Sequence, residues 1–183
     1  MPILGILASS TRVAAGDFES IATVSVGSGG ASTIDFTSIS GTYTHLQVRY
    51  IARNTDASGN NIFYQFNSDT ANNYVRHVLY GDGSSAVADA NTSTSSIGFT
   101  AIANSSRLAS TFAAGVIDIL DYANTNKNKT TRSITGREDN TNGILLFASG
   151  LWRSTNAITS IQFTTSGNFA QYSHFALYGI KSA

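Results

Sequence analysis

His45-Leu-Gln-Val-Arg-Tyr-Ile-Ala52, followed by Arg53, decides the fold class. Leu46, Val48, Tyr50 and Ala52 alternate with His45, Gln47, Arg49 and Arg53. Successive side chains of an extended chain point to opposite faces, so this period of two describes a strand with one buried and one wet face, as in an antiparallel sheet. The pattern recurs in both directions along the chain. Upstream, Phe18, Ala22, Val24 and Val26 share one face and Glu19, Thr23 and Ser25 the other, and Gly27-Ser-Gly-Gly30 leads to Ile34 and Phe36, which reads as a β-hairpin. Downstream, residues 62–66 and 74–80 alternate again. Residues 81–96 are small and polar and read as a long loop with a short edge strand at 86–88. Residues 112–122 and 144–152 are the most continuously apolar runs and are placed as central strands covered on both faces. Residues 130–136 alternate like an exposed strand, and 157–164 and 173–180 close the domain. The only proline, Pro2, lies outside every strand.

About ten strands separated by Gly, Ser, Asn and Asp clusters, with no repeat of 20 to 50 residues, predict an all-β chain. The expected architecture is an antiparallel two-sheet β-sandwich, jelly-roll-like, with an extended N-terminal arm over 1–16 and a single domain over 17–183. A chain of 183 residues buries roughly 70% of its unfolded surface, enough for one core without staples.

Eleven basic residues balance eleven acidic ones, so the positive field that phosphate backbones exploit is missing and no nucleic-acid partner is expected. Charged residues are only 12% of the chain, against roughly 25% in ordinary domains. Neutral polar surface suits packed assemblies, where every interfacial charge must be desolvated or paired. The absence of cysteine removes disulfides, thiolate metal sites and cysteine nucleophiles together. The apolar run at 3–8 is shorter than a signal-peptide core, and no segment approaches the roughly 20 apolar residues that span a bilayer, so neither export nor a membrane partner is expected.

His45, His77 and His174 each fall in a strand with no second ligand at metal spacing, and no metal or cofactor is expected. Only two glutamates occur, Glu19 and Glu138, and no acidic pair has the spacing of a glycosidase's two carboxylates, although some of the eleven can still converge in space. A non-enzymatic protein is the expectation. Asp56-Ala-Ser-Gly-Asn-Asn61 departs from the calcium-loop spacing and reads as a turn, as does Gly81-Asp-Gly-Ser84. Asp56, Asn60 and Asn61, with Tyr80 and Asp82, are the candidate contacts for a glycan or host surface. Tyr43, Tyr64, Tyr74 and Tyr172 join Tyr80 as candidate exposed aromatics, whereas Trp152 ends an apolar strand and is placed in the core. Lys127, Lys129, Arg132 and Arg137 form a basic cluster, read as a solvated edge that discourages strand pairing.

Met1-Pro-Ile-Leu-Gly-Ile-Leu-Ala-Ser-Ser10 is too short to cross a membrane and too apolar for a free tail. Its Ile3, Leu4, Ile6 and Leu7 are the expected assembly contacts. Together with Asp17-Phe-Glu-Ser-Ile-Ala-Thr-Val-Ser-Val-Gly-Ser-Gly-Gly30, Tyr43-Thr-His-Leu-Gln-Val-Arg49 and the closing Phe175-Ala-Leu-Tyr-Gly-Ile-Lys181, this peptide resembles small virion structural proteins of tailed bacteriophages, chiefly marine and cyanobacterial ones. The resemblance implies a multicopy β-sandwich, made in the host cytoplasm and built into the virion as a capsid decoration, head fibre or tail appendage. Its implied partners are other virion proteins, reached through the N-terminal arm, and copies of itself, a trimer being common among such appendages. A carbohydrate-binding module reading host-surface glycans is the alternative.

Overall fold

The computed structural model describes residues 17–139 and 142–181, apart from the side chain of Phe99. Twelve strands and no helix occur among them: β1 (Phe18–Ser25), β2 (Ala31–Phe36), β3 (His45–Ala52), β4 (Asn61–Phe66), β5 (Tyr74–Gly81), β6 (Ala86–Thr94), β7 (Ile97–Ala101), β8 (Ala113–Leu120), β9 (Lys129–Arg137), β10 (Ile144–Trp152), β11 (Ile161–Phe169) and β12 (His174–Ile180). They form an eight-stranded sheet, ordered β1-β12-β3-β8-β9-β10-β5-β6, and a four-stranded sheet, ordered β2-β11-β4-β7. All neighbours within the sheets are antiparallel. The hairpins β5–β6, β8–β9 and β9–β10 stay in the large sheet, and every other connection passes between sheets, giving the expected jelly-roll-like sandwich.

The core lies between the sheets. Leu46, Val48, Tyr50 and Ala52 all point into it and are buried, as their alternation predicts. Tyr50 lies flat over its cross-strand partner Gly115 and stacks on Phe175 at 5.4 Å, while its hydroxyl donates to the Ala101 carbonyl at 2.8 Å. An added Cβ at position 115 would enter the Tyr50 ring, so glycine is required there by space rather than by backbone conformation.

Four expectations are corrected. The segments flanking Gly27–Gly30 are not a hairpin, because β1 pairs with β12 in one sheet and β2 with β11 in the other. The turn, closed by Gly30 N–H on the Gly27 carbonyl with Gly30 at φ 71°, carries the chain across the sandwich. A bulge between Ser20 and Ala22 then divides the β1 face: Ala22 and Val24 pack on the core, whereas Phe18 stacks on Tyr178 at 4.8 Å on the outside. The short edge strand expected at 86–88 within a loop over 81–96 is the nine-residue edge strand β6, whose mostly exposed side chains carry little hydrophobic signal. Finally, 130–136 belongs to a central strand. Its two buried threonines are satisfied: Thr131 Oγ1 bonds the Tyr64 hydroxyl at 2.8 Å, and Thr135 Oγ1 accepts the Ala101 N–H at 3.1 Å.

Candidate functional site

Two regions can meet a partner: the outer face of the large sheet, and the end of the sandwich where its loops gather. On the outer face the register aligns side chains into rows across the strands. One row runs Ala88, Leu79, Phe147, Ile134 and Val116 across β6, β5, β10, β9 and β8. The next runs Ala86, Gly81, Leu145, Gly136, Ala114 and Ile51, reaching β3. Neither stretch contains a charge. Ile51, Leu79, Ile134, Leu145 and Phe147 are 46–54% exposed. The expectation that 112–122 and 144–152 are covered on both faces is thus corrected. These strands are central in the sheet, but the small sheet covers only their inner side. Exposed apolar area spread over six strands exceeds the scattered single residues normal for a soluble surface.

Charge begins in the adjoining row, where Arg132 Nε donates to Asp118 Oδ2 at 2.9 Å and Gln47 Nε2 donates to Asp118 Oδ1 at 2.8 Å. Arg49 closes one end of the apolar field, its guanidinium 5.1 Å from the Phe18 ring centre and 5.5 Å from that of Tyr178. Two adjoining hollows, of about 590 and 240 Å³, share the Phe147 side chain along this face.

At the loop end, Asp56, Asn60 and Asn61 lie in or beside the β3–β4 connection and Asp82 in the β5–β6 turn. Most of their polar atoms are already committed. Asp56 Oδ1 accepts from Ser58 N at 2.7 Å, Ser58 Oγ at 2.9 Å and Gly59 N at 3.2 Å. These bonds, the Ser58 amide first, hold its carboxyl below the usual range. Asn60 Oδ1 accepts from Asn104 Nδ2 at 3.0 Å, and Asn61 offers its carbonyl to Thr165 Oγ1 at 3.0 Å. Asn104 and an Arg107–Asp139 ion pair at 3.4 Å tie three loops together. Arg53, read as wet, instead donates to the carbonyls of Leu108, Thr111 and Arg107 at 2.8–3.0 Å and fixes the loop before β8.

Asp82 faces a cleft of about 450 Å³ that Glu138 also lines, with Gly81, Gly83 and Gly143. That convergence joins residues far apart in sequence, and no local spacing marks it. Asp82 Oδ1 accepts from the amides of Ser84 and Ser85 at 2.9 and 2.8 Å and from both hydroxyls. These donors, the Ser84 amide foremost, hold its carboxyl down to about 2. The folded value lies below the roughly 3.9 of a free aspartate, so its contribution to the turn is complete above that value and is lost as pH falls through about 2. A carbon-detected NMR titration is expected to give a midpoint near 2 for Asp82, and a midpoint near 4 would remove the Ser84 and Ser85 bonds from this account.

The aromatic expectations divide. Tyr64 and Tyr74 are buried in the core, which corrects their placement as exposed contacts; their hydroxyls bond Thr131 and the main chain of Phe66 and Asp69, partners that let a tyrosine sit inside. Tyr80 is half-buried and packs on a satellite core cluster with Val78 and Leu146. Tyr43 is half-buried and donates to Glu19 at 3.0 Å, and Tyr172 alone of the five is well exposed. Trp152 is in the core as placed.

The basic cluster is also corrected. Lys129 is fully buried, and its Nζ donates to the carbonyls of Asn124, Lys127 and Thr155 at 2.7, 2.7 and 3.0 Å. Burial lowers the pKa of Lys129 and likewise that of Arg137, leaving Lys127 and Arg132 outside, each paired to an aspartate. His45 Nδ1 accepts the Asp121 N–H at 3.0 Å, while His77 and His174 are exposed on their strands. No group of three His, Cys, Asp or Glu side chains suited to a metal occurs among the described residues. Ile3, Leu4, Ile6 and Leu7, and the arm over 1–16, lie outside the described residues. Comparison with family models, with curated proteins and with solved structures returns no match to this chain.

Proposed function

We propose that this chain is a non-enzymatic structural protein of a tailed-phage virion, a capsid decoration, head fibre or tail appendage, anchored through its N-terminal arm to other virion proteins and associating with copies of itself. The observation that carries the reading is the uncharged apolar field across six strands of the large sheet, a surface suited to burial in an assembly. The low charge content and the apolar residues Ile3, Leu4, Ile6 and Leu7 point the same way. Burying those four side chains contributes roughly 1.5–3 kcal/mol each before ordering costs. The phage assignment itself rests on the resemblance of the terminal peptides. Deletion of residues 2–10 is expected to leave a folded domain that is missing from purified particles, read by quantitative mass spectrometry of virions. Normal incorporation of the truncated chain would overturn the proposal.

One observation favours a second, compatible reading, the recognition of host glycans at the loop end. The cleft between Asp82 and Glu138 is lined by these two carboxylates and three glycines, with Ile144 and Leu145 beside them, which suits a ligand that has hydroxyls and an apolar face. Single sites of this kind bind weakly, so a multivalent display on a polysaccharide array is the appropriate measurement. Silence across bacterial polysaccharides would leave the structural role alone.

A further inference from the structure

An apolar field on an otherwise polar domain needs a cover while the subunit is free in solution. The described chain begins at Asp17, whose carbonyl accepts the Lys181 N–H beside β12, so the preceding sixteen residues leave from the β1 edge of the same sheet. Phe18, the first residue of β1, already lies on the outer face against Tyr178 and Arg49. The Phe147 row meets β1 at Thr23, toward the other end of that strand, so a segment preceding Phe18 reaches the field only by reversing over this outer face.

Length permits the return. Five inter-strand steps separate β1 from β10, about 24 Å at the usual spacing. The Phe147 row lies about 13 Å further along the strands than Phe18, which makes a diagonal of about 28 Å. Ten residues from Leu7 to Asp17 reach about 33 Å when extended. The intervening Ala8-Ser-Ser-Thr-Arg-Val-Ala-Ala-Gly16 is mostly small residues and suits a tether. Extended, residues 3–8 measure about 20 Å, close to the 19 Å across β8, β9, β10, β5 and β6 where the hollows lie. Neither the segment nor the two rows carry a charge.

We infer that in the free subunit residues 3–8 fold back onto the outer face of the large sheet of their own chain, against Leu79, Ile134 and Phe147. A tether of this length gives the segment an effective concentration on the order of 1 mM at that face. A second copy at micromolar concentration does not compete with it. The inference shares the arm with the assembly reading and adds a control to it. Moving the arm to a partner in the particle uncovers the face at the same moment, so two apolar surfaces become available only together, and free subunits stay apart until then.

The lack of cysteine makes the test clean. The full-length variant carrying Leu7→Cys and Phe147→Cys is treated with a short bismaleimide and compared with Leu7→Cys paired with Asp35→Cys, which lies on the exposed side of the small sheet. The expected result is a crosslink within one chain for the first pair, with a yield unchanged on hundredfold dilution, and little for the second. Crosslinked dimers that vanish on dilution, or equal yields from both pairs, would overturn the fold-back. A dye that brightens on apolar surface gives an independent measurement: deletion of residues 2–10 is expected to raise its fluorescence several-fold on the monomer, and an unchanged signal would also overturn the inference. Loss of the truncated chain from particles without an intrachain crosslink would sink the fold-back while leaving the assembly role standing.

Discussion

Trp152→Ala is expected to lower the free energy of unfolding by about 3–5 kcal/mol, the range for removing a buried tryptophan. At this chain length that corresponds to a fall in Tm of roughly 10 °C. Trp152 ends β10 opposite Tyr74 and stacks on it at 6.3 Å, with Phe66 at 5.7 Å on the facing sheet. Its Nε1–H donates to Asp69 Oδ2 at 2.7 Å. The same carboxylate receives Asn73 Nδ2 at 3.0 Å, and its other oxygen takes the Ala71 N–H at 2.9 Å; these donors, Asn73 first and Trp152 next, hold the Asp69 carboxyl below the usual range and order the β4–β5 turn. Truncation thus opens a cavity between the sheets and takes one donor from the turn. Trp152→Phe keeps most of the packing and loses the donor, so a cost of about 1–2 kcal/mol is expected for that change. Urea unfolding followed by circular dichroism measures both. Equal stabilities for the wild type and the alanine variant would show that the indole is not a core element.

Lys129→Met is expected to cost about 3 kcal/mol although it replaces a charged side chain with an apolar one of similar length. The ammonium satisfies three carbonyls drawn from the β8–β9 turn and the β10–β11 connection. A thioether leaves all three without that donor in a buried place. Lys129 is also the cross-strand partner of Trp152. The single tryptophan therefore reports on this variant by its emission, which is expected to shift to the red before global unfolding as the turn loosens. The double variant is expected to cost less than the sum of the two single changes, because contacting residues couple. A Lys129→Met protein as stable as the wild type would mean that water replaces the ammonium at no cost.

Much of the architecture was legible in residues 45–52, where four apolar side chains at period two fixed a face, and the same reading placed Trp152 inside. What it could not give were partners. Alternation reports which way a side chain points and is silent on which strand lies alongside, so Phe18–Ser25 and Ala31–Phe36 looked like a hairpin although each pairs across most of the chain's length. The bulge at Ser20–Ala22 has no sequence signature and reversed the face of Phe18. Only the first three residues of β6 are legible as an edge strand, because a strand of mostly alanine, serine, threonine and asparagine needs no apolar face to persist. No local pattern marks the burial of Lys129, which depends on carbonyls contributed by three other positions. At the candidate site the limit was similar. Leu79, Leu145 and Phe147 have core-like composition, and only the position of the small sheet reveals that none of the described residues lies over them.

The sheet order also sets a timetable for folding. The last two strands are interior members of their sheets, β12 between β1 and β3 and β11 between β2 and β4. While the chain is being synthesised, β1 therefore has no neighbour until β12 has left the ribosome and β2 none until β11 has, and β3 and β4 each lack one over the same intervals. Contacts this distant along the chain make for slow folding, and unpaired edges in the waiting interval invite association with other nascent chains. The first strands to be made are among the last to be secured, so a stalled or prematurely ended chain forfeits the β12 and β11 pairings that join the beginning of the protein to the rest.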